Sequence, residues 1–159
     1  MNKQLRNAER AQINTYIPSL FIIVMVASLV LDSFFPNPVY STSWSTEAGI
    51  IITLLGTVLV YAAHVSSKKI RKDVKVSANE VNFFVGPYAY VRHPGYAGMV
   101  LIGIGMSLVI NSTVILISSI LFYLVARSVA TTEENHLLHE DSHVRTEYAR
   151  YTKKVGRYF

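Results

Sequence analysis

At 159 residues the chain is about one domain long, with 51% hydrophobic and only 16% charged residues and a mean hydropathy of +0.32, which excludes both a disordered chain and an ordinary soluble domain. It has no cysteine, which removes disulfide scaffolds, thiolate zinc sites, iron–sulfur clusters and cysteine nucleophiles. The net charge of +5 does not point to nucleic acid, because the basic residues flank apolar runs.

A charge at a bilayer centre costs on the order of 3 kcal/mol or more, so charge-free windows mark the organisation. The first lies between Arg10 and Asp32 and places span one at about 16–35. Its apolar run is long for a signal peptide and no A-x-A-like site follows it. The second, between Glu47 and Lys68, has His64 as its one ionisable group and places span two at about 48–66. His64 reads as an interfacial side chain. The third window, His93 to Ala126, would be roughly 50 Å long as one helix, against an apolar thickness of roughly 30 Å. Asn111-Ser112 interrupts it, so the expectation is a tight hairpin of two spans, about 96–110 and 113–130.

Charge asymmetry tests that count. Lys3, Arg6 and Arg10 precede span one; Lys68, Lys69, Arg71, Lys72, Lys75 and Arg92 lie between spans two and three; Arg127, Arg145, Arg150, Lys153, Lys154 and Arg157 follow the third window or span four. The linkers 32–47 and 111–112 carry no Lys or Arg. Four spans therefore put every basic residue on one side, which the positive-inside rule makes cytoplasmic together with both termini. The expected fold is a single all-α integral membrane domain over 1–159: four transmembrane helices, a cytoplasmic loop and a C-terminal helix. Residues 3–10 read either as a short helix on the headgroups or as a solvated leader. The basic run after span two reads as a topology signal that meets anionic lipid. Thr131-Thr132-Glu133-Glu134 reads as a capping box with Thr131 as the cap, starting a helix that runs to about Lys154.

The chemistry has to lie in the cytoplasmic pieces, about 80–98 and 131–157. Between Gly86 and Gly98 runs GPYAYVRHPGYAG. Pro87 and Pro94 stiffen the backbone, and between the glycines stand three tyrosines, Arg92 and His93. Two readings fit these residue types: a rigid turn holding a charged ligand, or an interfacial aromatic belt with snorkelling side chains. The Glu133-Glu134 pair likewise fits either helix capping or ligand binding. The hairpin makes it a spatial neighbour of the RHPGY turn. Gly98, Gly103 and Gly105, facing Ser118, Ser119 and Ala126, are expected to bring spans three and four close together. His136, His139 and His143 fall at i, i+3 and i+7 on the tail helix, a spacing compatible with a metal, but three exposed histidines without supporting groups assign none.

GPYAYVRHPGYAG followed by EENHL and EYARYTKKVGR resembles the integral membrane methyltransferases that include isoprenylcysteine carboxyl methyltransferase and the phospholipid methyltransferases. The likeness covers Gly86 to about Arg157. It implies S-adenosylmethionine as cofactor, with Tyr88, His93, Pro94, Gly95, Tyr96 and Glu133 at the cofactor-contacting positions and no metal. It also implies direct methyl transfer to a lipophilic small molecule or lipid; beside it, the chemistry of the residues assigns to the reaction Arg92, suited to orient a substrate or cofactor carboxylate, and Glu134, which with Glu133 is a carboxylate able to accept the acceptor's proton. Nucleic acid is not an expected partner; membrane lipids are. Departures fall at Glu80-Val81-Asn82-Phe83, where the prenylcysteine enzymes carry His and Leu, and at Val129-Ala130, where they carry an arginine one turn before the glutamates. His143-Val144 and the proline-free Gly156-Arg157-Tyr158-Phe159 also differ. The missing arginine favours uncharged amine, thiol or phenol acceptors over prenylcysteine carboxylates. A non-enzymatic transporter or assembly factor on the same fold is the competing class, although transporters place polar groups at the midplane and these spans hold only Ser, Thr and Gly there.

Overall fold

The structure, a computed structural model, describes residues 3–35, 38, 44–76, 81–139 and 142–158. It is helical: α1 (Lys3–Phe34), α2 (Trp44–Val76), a 3-10 turn (Gly86–Ala89), α3 (Pro94–Ile110), α4 (Thr113–Leu138) and α5 (Ser142–Thr152). The described residues contain no strand, and Val91 forms one isolated parallel bridge with Gly156. Tyr16–Phe34, Trp44–Lys72 and Thr113–Leu138 are each long and apolar enough to cross a membrane, so the chain is a multi-pass membrane protein. At 17 residues α3 is shorter, about 26 Å at 1.5 Å per residue.

Side-chain size decides how the helices pair. α1 lies on α4, where the Phe21 and Phe122 rings are 5.0 Å apart and the Ser28 hydroxyl donates to Ser118 Oγ at 2.8 Å. α3 lies mainly on α2. A side-chain carbon added at Gly56 would come within 2.7 Å of Gly98 O, and one at Gly98 within 2.8 Å of Gly56 O. Gly49 and Gly105 make the same reciprocal approach at 2.7 Å. Two glycine pairs, one heptad apart on both helices, let the backbones meet, the packing available to helices in lipid. Gly98 and Gly105 were expected on α4. Gly103 alone of the three meets it, against Ser119.

The hairpin forms at Asn111-Ser112. Asn111 takes the left-handed conformation at φ 58°, which asparagine tolerates, and Ser112 caps α4 by accepting from Ile115 N at 3.2 Å. Ser112 also donates to Asp32 at 2.5 Å, so the end of α1 and the hairpin share one end of the bundle. The α2 start is there too, through Gly49 and Gly105.

Three expectations change at the opposite end. α1 is continuous from Lys3, not a short surface helix followed by a span. α2 runs past residue 66 to Val76, because Lys and Arg are strong helix formers and no Gly or Pro intervenes. The capping box does not form: α4 passes through it to Leu138, with Thr131 and Thr132 bonding back to the carbonyls of Arg127 and Ser128 at 3.0 and 3.3 Å, an in-helix use of hydroxyls. The tail helix is separate and ends at Thr152. It docks through a second core of Ile70, Val81, Phe83, Tyr148, Tyr151 and Val155.

Candidate active site

The turn before α3 is shaped by a glycine. Gly86 sits at φ +55°, and a Cβ there would run into Ser66 Oγ of α2. Pro87 follows, and Tyr88 O accepts from the Tyr151 hydroxyl at 2.6 Å, tying the turn to α5. The chain then runs beside the tail: Arg92 N donates to Gly156 O at 2.9 Å and His93 N to Arg157 O at 3.3 Å. Pro94 and Gly95 open α3, whose N-cap, His93, makes no side-chain cap. The imidazole is thereby left to face α4.

α4 delivers the acidic half. Its 26 residues measure about 39 Å, and about 20 cross an apolar layer. Glu133 and Glu134, at positions 21 and 22 from Thr113, therefore stand beyond that layer. Glu134 is buried and surrounded by donors: Arg157 in a two-pronged pair, Nε to Oε1 at 3.0 Å and Nη2 to Oε2 at 2.7 Å, Arg92 Nη1 at 3.1 Å and His93 Nε2 at 3.0 Å. Burial works to raise its carboxyl, but the hydrogen bonds from His93 and Arg157 and the charge of Arg92 prevail and hold it down at about 2. The same pair raises the Arg157 guanidinium above its ordinary range. Arg157 Nη1 also donates to Thr131 Oγ1 at 3.0 Å.

Glu133 differs from its neighbour. It accepts the Tyr96 hydroxyl at 2.9 Å and lies 3.6 Å from His93 Nδ1. Burial raises its carboxyl; His93, Tyr96 and Arg71 oppose this without cancelling it. His93 thus bridges the two carboxyls, its ring parallel to that of Tyr96 at 5.5 Å.

Arg92, His93, Tyr96, Glu133 and Glu134 are thus one connected cluster, Pro94 and Gly95 begin the helix between them, and the Tyr88 hydroxyl lies within reach of the Glu133 charge. Burial pushes the Tyr88 hydroxyl up to about 12, against the charge of Arg71. Arg71, held by Ser67 Oγ at 3.0 Å, reaches the site because α2 is long. Sequence reasoning treated Arg71 and Arg157 as topology signals and missed both, since no spacing relates residue 71 or 157 to residue 133 or 134. Arg92 Nε and the Tyr158 hydroxyl are buried with no hydrogen-bond partner among the described residues. His139 closes α4 and α5 begins at Ser142, so no single helix carries the 136, 139, 143 register. Glu80 and the His143 side chain lie outside the described residues.

Residues 44–140, more than half of the chain, match the phospholipid methyltransferase family. The chain belongs to that family. No curated protein and no solved structure matches it. For a phospholipid methyltransferase family member the boundary is informative: the matched region runs from α2 through α4 and carries both halves of the cluster, whereas Arg157, which clamps Glu134, lies beyond it.

Proposed function

We propose that this membrane methyltransferase uses S-adenosylmethionine to methylate a lipophilic acceptor that reaches the site from the bilayer. The observation that carries the reading is the meeting of two motifs about 40 residues apart, His93 on Glu134 and Tyr96 on Glu133. The cluster fits the cofactor: the uncapped first turn of α3 and the unpartnered Arg92 Nε suit a carboxylate, the faces of Tyr88, His93 and Tyr96 suit a sulfonium and a base, and Glu133 suits ammonium or hydroxyl donors. Pro94 and Gly95 let the backbone approach. When bound, the cofactor supplies an electrophilic methyl group.

The chain's own part is to orient and to move a proton. Arg92 and Glu134 hold each other, so Arg92 is fixed with Nε free for an anionic oxygen. Glu134, at about 2, is a poor base and serves as the clamp. Glu133, whose proton affinity burial raises, is the carboxylate suited to take the acceptor's proton. Arg127 is exposed and Val129 is half-buried, so neither position supplies the carboxylate-binding arginine of the prenylcysteine enzymes. That supports amines, thiols or phenols on a lipophilic body as acceptors. Four spans with both termini cytoplasmic complete the reading, checked by labelling single cysteines at Ser43, Ser77 and Ser142; a cytoplasmic Ser43, or Ser77 and Ser142 on opposite sides, overturns it.

Calorimetry with S-adenosylmethionine in detergent, followed by transfer of labelled methyl to a panel of amines, thiols, phenols and a farnesylcysteine derivative, tests the function. Binding and transfer to an uncharged acceptor are expected. Absence of binding, or base-labile ester on farnesylcysteine alone, overturns it.

A further inference from the structure

The last described residue, Tyr158, plays no part in the cofactor reading, yet it is held firmly. The main chain before it is bonded to Arg92 and His93, and Arg157 is clamped on Glu134. Its ring lies 6.2 Å from His93 and 5.5 Å from Tyr123. Tyr123 belongs to the membrane-crossing part of α4, ten residues before Glu133, or about 15 Å along the axis. The Tyr158 ring therefore spans from the catalytic cluster to the bilayer side, against the main apolar core.

Its hydroxyl is the anomaly. Tyr96 and Tyr151 each donate to a carboxylate or carbonyl, whereas the Tyr158 hydroxyl is buried with no partner among the described residues. A buried hydroxyl without a partner costs about 1–3 kcal/mol, so its persistence calls for an explanation. The proposed cofactor contacts use Tyr88, Arg92, His93, Tyr96 and Glu133 and leave the Tyr158 hydroxyl unused. The Tyr158 ring itself meets Tyr123 of α4. Aromatic faces and a nearby carboxylate favour a cationic group, and a hydroxyl favours an oxygen close to it.

We propose that Tyr158 contacts the acceptor, its hydroxyl hydrogen-bonding an oxygen of the head group of a lipid-borne amine. This rests on the methyltransferase reading. The test compares the full chain with Tyr158→Phe, which keeps the ring and removes only the unpartnered group, using two probes in detergent: lysophosphatidylethanolamine, whose amine neighbours phosphate oxygens, and dodecylamine, which has none. The expected result is a KM for the first raised at least about fivefold, the worth of one hydrogen bond, with the KM for dodecylamine, kcat and cofactor affinity unchanged and a thermal midpoint no lower than wild type, since the substitution removes a buried group without a partner. An unchanged KM for lysophosphatidylethanolamine overturns the proposal, as does a loss that falls on cofactor affinity. A second readout needs no turnover: lysophosphatidylethanolamine without cofactor should raise the thermal midpoint of wild type more than that of Tyr158→Phe. If that holds while wild type binds no cofactor and transfers no methyl, the methyltransferase reading fails and the contact stands. If the lipid stabilises both proteins equally, or neither, the contact is refuted.

Discussion

The α2–α3 seam and the carboxylate cluster above it are built on opposite principles. In the seam, glycines meet backbone to backbone, and the attraction is packing, which has no tolerance for an added carbon. In the cluster, two carboxyls, two guanidiniums, an imidazole and a tyrosine hydroxyl hold one another by directed bonds, and removing one leaves the others free to re-pair with water or ligand. The difference separates stability from function. Damage to the seam should unfold the protein, while damage to most of the cluster should leave a folded protein that has lost its ligand.

The largest effect is expected at the seam. Gly98→Leu or Gly105→Leu should cost more than about 3 kcal/mol and show as lost expression or lost helicity in detergent, whereas Gly95→Ala, whose added carbon meets only Ala63 at 3.9 Å, should fold normally. A well-folded Gly105→Leu would break the comparison. Next come His93→Ala, Tyr96→Ala and Glu133→Gln. Each should weaken S-adenosylmethionine binding by at least about tenfold, roughly 1.4 kcal/mol, with helicity near wild type. Wild-type affinity in all three would move the pocket elsewhere.

The two glutamates sharpen the contrast through pH. Glu134 is held at about 2, below the ordinary carboxylate value of 4.5, so its stabilising contribution is full above the ordinary carboxylate range and fades as pH falls toward 2. Glu134→Gln should therefore be less stable than wild type at pH 7, on the order of 3 kcal/mol for a broken buried pair, with the gap closing in acid. Glu133 is shifted upward, so its contribution is present below the ordinary carboxylate range and lost as pH rises through its raised value. Glu133→Gln should match or exceed wild-type stability at pH 7. Thermal midpoints of the two variants from pH 3 to pH 8 decide this, and parallel profiles would show that the pair is not split. The smallest effect is expected at His139, whose ring is exposed and bonded only to its own helix at Asn135 O: His139→Ala should change cofactor affinity less than about twofold.

The apolar windows, the Asn111-Ser112 hairpin and the neighbourhood of the RHPGY turn and the glutamate pair followed from the order of residues alone. Charge exclusion from lipid is a local property of the chain, and a hairpin forces its two ends together. Chain order also fixed which residues cluster, His93, Tyr96, Glu133 and Glu134 among them, because they flank that hairpin. What it did not determine was partnership. Gly98 and Gly105 turned to α2 because the backbone approach depends on glycines at 49 and 56 in another helix. The capping box at Thr131 was overridden because a helix already in progress satisfies those hydroxyls from within. The division of labour between Glu133 and Glu134 depended on Arg157, 23 residues onward, and on a tail laid beside Val91 by main-chain bonds. Such bonds are indifferent to side-chain identity and so leave no periodicity to read. Hydropathy and spacing act within a few turns of one chain segment; which carboxylate is clamped and which is left unclamped is set by groups that only tertiary packing brings within 3 Å.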